Sequence, residues 1–173
     1  MPGSSKDAPD DAVGEKRRKL LASIGEGMIQ FAPHNLALGM KFVSFDDGMA
    51  TVSLPYDEKL VGNPLSGVLA GGAITALMDT TCGSAVFIAL REPMRIATLD
   101  LRIDYLRPAT PKLSVHARAK CFKVTREVAF VRCEAFHPEN EADLVAVANG
   151  TFILFPNSPA SSKRPEAASK ESA

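Results

Sequence analysis

One acidic side chain stands out in an otherwise uncharged stretch of this sequence. Between residues 65 and 90 the only charged residue is Asp79. A carboxylate placed among apolar residues loses solvation, so it must find hydrogen-bond partners or become protonated. One interpretation is a structural carboxylate satisfied by nearby hydroxyls, such as those of Thr75, Thr80 or Thr81. The other, which we favour, is a general base or nucleophile, because restricted solvation suits that chemistry.

Two adjacent glycines precede this carboxylate in the chain. Gly71 and Gly72 follow Ala70 and lead into a segment of small and apolar residues. Glycines let a ligand approach the backbone, and the free N–H groups of a first helical turn can donate to an oxyanion. A glycine pair can also serve packing alone. The glycine pair therefore indicates a binding site only in combination with Asp79.

The glycines and Asp79 belong to one predicted helix. The segment Ala73–Leu90 carries apolar residues on every side. A helix that is apolar all round is buried all round, in a wrapped protein core or in lipid. Lipid is the poorer choice, because a carboxylate at mid-membrane costs roughly 2.5–3.5 kcal/mol. Amphipathic strands also follow, and they need an apolar element to cover. The sequence therefore predicts a core helix wrapped by a sheet.

Six segments have the alternation or composition of strands, two before the helix and four after it. The first two are joined by a hairpin-type turn at Asp46-Asp47-Gly48, and we expect the last four to form a meander. Pro108 and Pro111 mark the break between the third and fourth strands. The fold class is thus α+β, an antiparallel sheet of about five to six strands around one long central helix. The six segments are Leu36–Phe45, Ala50–Tyr56, 97–105, 113–121, Glu127–His137 and Leu144–Phe155.

The composition excludes several classes of protein. The 173 residues include 20 Lys or Arg and 20 Asp or Glu, so no basic surface is available to hold nucleic acid or an anionic membrane. Apolar residues make up 46% and charged residues 23%, which excludes wholesale disorder. The three cysteines, an odd number, lack metal-ligand spacing, so we expect neither a disulfide framework nor a metal site. They are Cys82, Cys121 and Cys133.

The ends of the chain differ from its middle. Residues 1–15 and 157–173 are poor in packing residues and are predicted to be disordered tails. One domain is predicted over residues 16–156, opening with a short helix from Lys16 to about Gln30. The first residues lack the basic start and apolar core of a secretory signal. We therefore expect a cytoplasmic protein.

Residues 63–79 read Asn-Pro-Leu-Ser-Gly-Val-Leu-Ala-Gly-Gly-Ala-Ile-Thr-Ala-Leu-Met-Asp. This stretch resembles the signature of hotdog-fold acyl-CoA thioesterases, in the PaaI-like branch of the 4-hydroxybenzoyl-CoA thioesterase superfamily. The resemblance continues through residues 97–109, Thr125–Phe130 and Gly150–Phe152. It covers roughly residues 34–156. The fold expected from the strands and helix is therefore a hotdog fold.

The resemblance implies roles for four catalytic residues. Asp79 matches the acidic residue that activates water or attacks the thioester carbonyl, and Gly71 matches the glycine whose N–H polarises that carbonyl. Thr98 matches a position on the following strand that places the attacking water. Asn63 lies near the family's Asn, which contacts the acidic residue or the water, in a loop that is one residue longer here than in some relatives. The implied reaction hydrolyses an acyl-CoA and needs no metal or other cofactor, since CoA is part of the substrate.

The resemblance also implies substrate-binding positions and shows one departure. Gly72 and Ala70 flank the catalytic glycine, and Arg107 and Arg126 stand where family members often meet CoA phosphates. A solvated surface role fits either arginine equally well. The family usually has His where this chain has Ala70, so a side-chain donor is lost while the Gly71 N–H and the carboxylate remain. The three histidines do not obviously replace it; they are His34, His116 and His137.

The spacing of Gly71 and Asp79 predicts a site built from two chains. The two residues are eight positions apart on one helix, a separation of roughly 12 Å along the axis. One thioester carbon cannot lie beside both groups of the same helix. Two antiparallel helices would bring Gly71 of one chain opposite Asp79 of its partner. We therefore expect a homodimer, and the resemblance adds a dimer of dimers.

Two other functions stay open. A non-catalytic acyl-CoA binding protein would explain Ala70 as a mark of lost activity. A hotdog hydratase or dehydratase would need a different Asp and His pairing, and the absence of any His between His34 and His116 counts against it. The small residues of segment 80–87 would line an acyl pocket with room for more than acetyl, such as an aromatic or medium-chain acyl group.

Overall fold

The computed structural model of the chain describes residues 20, 22–46, 48–90 and 94–155. Both predicted tails and the predicted start of the first helix at Lys16 lie outside these residues. The described chain contains three helices, eight strands and a single 3₁₀ turn at Glu58–Leu60. In chain order they are α1 (22–31), α2 (Pro33–Ala37), β1 (Lys41–Asp46), β2 (Met49–Leu54), β3 (Val61–Asn63), β4 (Val68–Leu69), α3 (Gly71–Ala89), β5 (Arg95–Tyr105), β6 (Val115–Val124), β7 (Val128–Phe136) and β8 (Ala146–Phe155).

The main sheet has six antiparallel strands in the order β1-β2-β6-β7-β8-β5, and β3 and β4 form a separate small hairpin. The predicted α+β class and strand number are confirmed. The predicted four-strand meander is wrong in one respect, because β5 pairs with β8 at the sheet edge instead of with β6. Alternation in a sequence shows which face of a strand is buried, but it does not identify the neighbouring strand.

The first predicted strand, Leu36–Phe45, begins too early. The segment before it forms the short helix α2, which Pro33 opens at a position where its missing N–H and fixed φ are favourable. The strand itself starts at Lys41. The hairpin turn after it is confirmed, since Asp46 pairs with Met49 across the turn and Gly48 has the positive φ of 75° that favours glycine.

Small side chains on the inner face of the sheet let α3 pack closely against it. The strands at the centre of the sheet present alanine or another small residue at nearly every inward position, while the helix contributes the larger side chains. Small sheet residues thus lie opposite large helix residues, an arrangement that allows close packing of the core. The buried helix residues include Leu77, Met78, Cys82, Ala85 and Val86, and the facing sheet residues include Ala117, Ala119, Ala129, Cys133 and Ala135.

The central helix is covered on only one side. Gly71, Gly72 and Thr75 are exposed, and Asp79 and Gly83 are half-buried. The expectation that the helix is buried all round is therefore wrong for a single chain, because the curved sheet covers one face and leaves the opposite face open. The helix is long and apolar enough to cross a membrane, but half of its apolar window is buried inside the molecule, as in a core helix.

Gly62 in β3 lies against the residue that precedes α3. The Ala70 N–H donates to the Leu60 carbonyl at 2.8 Å, and a Cβ added at Gly62 would lie 2.8 Å from Ala70 Cα. We expect Gly62→Ala to lower the free energy of unfolding by about 1–3 kcal/mol, because backbone atoms have to shift to admit the methyl group. Denaturant unfolding measures this change.

The matched control for this prediction is Gly27→Ala in α1. A Cβ at Gly27 meets no atom within 4 Å, so this variant should be unchanged or stabilised by about 0.5–1 kcal/mol. Equal free energies of unfolding for the two variants would show that the close approach of Gly62 to Ala70 is not tight.

Candidate active site

Asp79 is held by a hydroxyl from the neighbouring strand. Its carboxylate lies half-way along α3, and the Thr98 hydroxyl donates to Asp79 Oδ1 at 2.8 Å. The nearby helix hydroxyls that the structural interpretation invoked are engaged elsewhere. Thr80 donates to the Asn35 side chain, and Thr81 donates to the Leu77 carbonyl. The structure thus brings the two predicted residues together, while their catalytic roles stay predictions.

Thr98 reaches the helix beside a bulge in the edge strand. The register of β5 with β8 shifts between Thr98 and Asp100, so Leu99 has no partner across the ladder. A bulge of this kind re-aims side chains and is frequent beside active sites. The predicted alternation of β5 placed Leu99 in the core, but the bulge leaves its side chain 62% exposed.

The start of α3 presents two free backbone donors. Ala70 is the N-cap and makes no side-chain capping hydrogen bond. Its carbonyl accepts from the Ala73 and Ile74 N–H groups at 3.1 and 3.5 Å. In the described chain the N–H groups of Gly71 and Gly72 donate to no backbone carbonyl. They lie at the positive end of the helix dipole, where an oxyanion is stabilised.

An apolar cleft of about 460 Å³ opens beside this helix start. Its apolar walls suit a hydrocarbon chain. The backbone N–H groups of the helix start lie at one end of the cleft, where they would bind the polar end of a ligand. The prediction that segment 80–87 lines an acyl pocket is not supported, because most of that segment faces the sheet and is buried. The cleft residues are Val68, Leu69, Gly71, Ile74 and 105–109.

Tyr105 is a residue of this cleft that the sequence did not single out. Its hydroxyl donates to the Gly71 carbonyl at 2.7 Å. The sequence pattern counted Tyr105 as the last apolar residue of an alternating strand, which concealed its polar end. Its position in the chain could have indicated this role. The strand that follows the helix runs antiparallel to it, so the last residue of that strand lies beside the helix start.

Asn63 is not in contact with Asp79 within the described chain. Its side-chain oxygen accepts from the Leu65 N–H at 3.0 Å, and its carbonyl accepts from the Gly67 N–H at 2.9 Å. The amide therefore shapes the exposed turn between β3 and β4. The predicted role of Asn63 beside the acidic residue or its water stays a prediction.

The two arginines have different environments. Arg107 donates to the carbonyls of Asp143 and Pro108 at 2.6 and 3.1 Å. Its Nε lies 2.9 Å from Asp143 Oδ1 as an ion pair, although the N–H is not aimed along a hydrogen bond. These contacts favour an internal role that ties two loops together. Arg126 is exposed in the turn between β6 and β7 and is free to meet an anionic ligand.

The buried histidine fixes a loop and takes no part in the site. His137 Nε2 accepts from the Thr110 N–H at 2.9 Å, so its Nδ1 carries the proton that is donated to the Ser114 carbonyl at 2.8 Å. His116 lies on β6, where burial lowers its pKa. Neither ring reaches the helix start to replace the side chain that Ala70 lacks.

The cysteine thiols are unsuited to nucleophilic chemistry. Cys82 and Cys133 are both buried in the core. A hydrogen bond with the Cys82 thiol, together with burial, raises the pKa of Cys133 well above its ordinary value. Burial likewise raises the pKa of Cys121. A thiol must ionise to attack, so Asp79 is the better candidate.

One chain therefore carries two separate half-sites. The carboxylate with its Thr98 partner lies near the middle of α3, and the free N–H groups lie at its start, roughly 12 Å away along the helix. The residues that mark them, Asp79 and Gly71, belong to the side of α3 that the sheet does not cover.

Sequence comparison identifies relatives of known chemistry. A sequence model described as the thioesterase superfamily matches residues 66–142. A Halobacterium salinarum protein named as an esterase is 36% identical over 125 residues, which are 68% of this chain and 82% of that protein. The medium/long-chain acyl-CoA thioesterase YigI of Escherichia coli is 28% identical over 148 residues, 78% of this chain and 93% of that protein.

Solved structures share the same fold. A Pseudomonas aeruginosa protein is 38% identical, with a TM-score of 0.70 over 77% of this chain and 98% of that chain. The sheet and the central helix thus belong to an architecture that this solved protein shares.

The hydroxyl of Thr98 offers a direct test of the carboxylate half-site. Thr98→Val keeps the shape of the side chain but leaves Asp79 Oδ1 without its donor. A hydrogen bond to a charged group contributes about 1.5–3 kcal/mol, and without it the carboxylate is free to turn. We therefore expect kcat for thioester hydrolysis to fall about tenfold or more. The control is Thr51→Val on β2, a half-buried threonine outside the site. Equal rates for Thr98→Val and the wild type would show that the hydrogen bond does not support catalysis.

Proposed function

Since the chain belongs to the thioesterase superfamily and is a thioester hydrolase, we propose that it hydrolyses acyl-CoA thioesters at a site shared between two subunits. The products are the free acid and CoA. The observation that carries this proposal is the placement of Asp79 and the free Gly71 N–H on the open side of α3, too far apart to act on one carbonyl within a chain.

The open faces of the molecule support assembly into a homodimer. The uncovered side of α3 carries small and hydroxyl-bearing residues, which allow a second helix to approach closely. β5 lies at the edge of the sheet, with unpaired backbone groups and the exposed Leu99 beside it. An antiparallel partner helix would bring its own Gly71 opposite Asp79, forming two identical composite sites. Assembly of such dimers into a tetramer stays a prediction.

The proposed chemistry uses a carboxylate and backbone donors. The thioester carbonyl accepts from the Gly71 N–H, and Asp79 takes a proton from a water whose oxygen attacks the carbonyl carbon. The carbonyl electrons move onto the oxyanion, and their return breaks the carbon–sulfur bond. The departing CoA sulfur takes the proton from Asp79. In the alternative route Asp79 attacks the carbonyl carbon directly, and CoA leaves. Water then cleaves the mixed anhydride, so the overall products are the same.

This scheme needs no metal ion or redox cofactor. The backbone N–H groups and the helix dipole polarise the carbonyl, and the carboxylate supplies the base. CoA enters as part of the substrate. Arg126, exposed at the turn between β6 and β7, is the arginine that we propose for contact with CoA phosphates, because the donors of Arg107 are engaged within the chain.

The apolar cleft supports a medium-length acyl group. Its volume of about 460 Å³ and its walls of Val68, Leu69, Ile74 and residues 105–109 suit a hydrocarbon chain. The relative from E. coli is named a medium/long-chain acyl-CoA thioesterase. We therefore propose medium-chain acyl-CoA thioesters as the preferred substrates, ahead of acetyl-CoA.

The alternative of a non-catalytic acyl-CoA binding protein rests on Ala70. The N-cap side chain donates nothing at the helix start, so the oxyanion has only backbone donors. Loss of one oxyanion donor costs on the order of a hundredfold or more in rate, which is compatible with slow hydrolysis. An assay with a thiol-trapping reagent and acyl-CoAs of increasing chain length separates the two functions.

Replacing the carboxylate tests the proposed hydrolysis. Asp79→Asn keeps the size of the side chain and removes the base, so kcat should fall at least about a hundredfold while the fold is unchanged by circular dichroism. The control is Asp104→Asn on β5, where the carboxylate pairs with Arg102 at 3.0 Å outside the site, and its activity should match the wild type.

Two outcomes would contradict this account. An Asp79→Asn variant with full activity would make Asp79 a structural carboxylate. A wild-type protein that binds acyl-CoAs but releases no thiol from any of them would favour the binding protein.

A further inference from the structure

We propose that Tyr105 is a positioning residue that holds the helix-start turn in the orientation needed to bind the oxyanion. The inference rests on the proposed hydrolysis and adds a residue to its machinery. It is carried by a hydrogen-bond network between the end of β5 and the first turn of α3.

The donors and acceptors of this network can be assigned. Tyr105 has one hydroxyl proton, and the 2.7 Å distance to the Gly71 carbonyl shows where it goes. The Thr75 hydroxyl lies 2.9 Å from the Tyr105 oxygen. Because the Tyr105 proton is already used, Thr75 must donate to Tyr105. The phenol therefore links the carbonyl of the first helical residue to a side chain one turn later.

The turn needs such support because its own sequence supplies little. Two consecutive glycines have the widest choice of backbone conformations, and the N-cap Ala70 makes no side-chain cap. A Cβ added at Gly72 would meet no atom within 4 Å, so no packing fixes this residue. Gly71 differs, because a Cβ there would lie 3.3 Å from the Tyr105 hydroxyl. The phenol therefore restrains the first residue of the helix, while the contacts of Ala70 with Leu60 and Gly62 restrain the residue before it.

Holding the Gly71 carbonyl also orients a donor. The Gly71 C=O and the Gly72 N–H belong to one planar peptide unit, so the hydrogen bond from Tyr105 fixes the direction of that N–H. It also limits rotation about the bonds of Gly71, whose own N–H is the proposed oxyanion donor. The hydrogen bond thus fixes the peptide plane between Gly71 and Gly72 at the edge of the cleft, whose lining includes Gly71 and the Tyr105 ring.

Tyr105→Phe tests the inference, because it keeps the ring and removes only the hydroxyl. We expect kcat to fall at least about tenfold with KM within about twofold of wild type, since the loss acts on the transition state. The matched control is Tyr56→Phe. The Tyr56 hydroxyl also donates to a glycine carbonyl, that of Gly67 at 3.0 Å, but outside the helix. Tyr56→Phe should keep the wild-type kcat.

A pair of inhibitors separates positioning from a structural role. One is a ketone analogue of the substrate with a difluoromethylene group between sulfur and carbonyl, which binds as its hydrate and mimics the tetrahedral transition state. The other is the corresponding alkyl thioether without a carbonyl. Tyr105→Phe should weaken inhibition by the ketone about tenfold and leave the thioether unchanged, because only the ketone uses the N–H donors. A merely structural effect on the cleft would weaken both inhibitors equally.

The outcomes distinguish this inference from the proposed function. Wild-type hydrolysis together with an unimpaired Tyr105→Phe would overturn the role of Tyr105 and leave the function standing. A wild type that hydrolyses no acyl-CoA would overturn the function itself. Should Tyr105→Phe fail to fold, Thr75→Val removes the other hydroxyl of the network, and it should lower kcat and ketone inhibition by several-fold. Unchanged values for a folded Thr75→Val would then overturn the inference.

Discussion

The fixed rise of an α-helix, about 1.5 Å per residue, is the constraint on which the rest of this structure depends. It keeps the carboxylate of Asp79 and the N–H of Gly71 roughly 12 Å apart on one rigid rod. Neither group can move toward the other without breaking the helix. In the proposed dimer each chain therefore supplies half of two sites, which are completed on the open side of the helix.

The strand that follows the helix supports both halves at once. β5 runs antiparallel to α3, so its first half reaches the carboxylate through Thr98 and its last residue, Tyr105, reaches the helix start. The bulge at Leu99 separates these two supporting positions without removing the strand from the sheet. Because β5 is also an edge strand, the same element lies where a partner subunit would join. In the proposed dimer, β5 would thus both support the site residues and join the partner subunit.

Much of this architecture could be predicted from the sequence. Apolar residues around an isolated Asp79 identified a core helix, and the alternating segments identified the strands that cover it. The order of strands could not be predicted, because alternation carries no information about neighbours. The exposed side of the helix was missed because small residues such as Ala76 and Gly83 occur both in a protein core and on a helix surface that packs against another helix. Tyr105 was missed because its ring fits an apolar alternation that hides the hydroxyl. For Asn63 the sequence did not show that a turn uses its side-chain oxygen, and its catalytic role stays a prediction.

The shared site is tested most directly by mixing two inactive chains, Asp79→Asn and Gly71→Pro. The proline removes the N–H at a position whose backbone accepts it, since the preceding Ala70 is extended, with φ −62° and ψ 136°. Its Cβ would lie 3.3 Å from the Tyr105 hydroxyl, so the phenol has to shift by a few tenths of an ångström. After subunit exchange, about one quarter of the wild-type activity per protomer should return, because about half of the dimers are mixed and each carries one intact site. Confirmed exchange with no recovery of activity, or full activity in a dilute monomer, would contradict a site built from two chains.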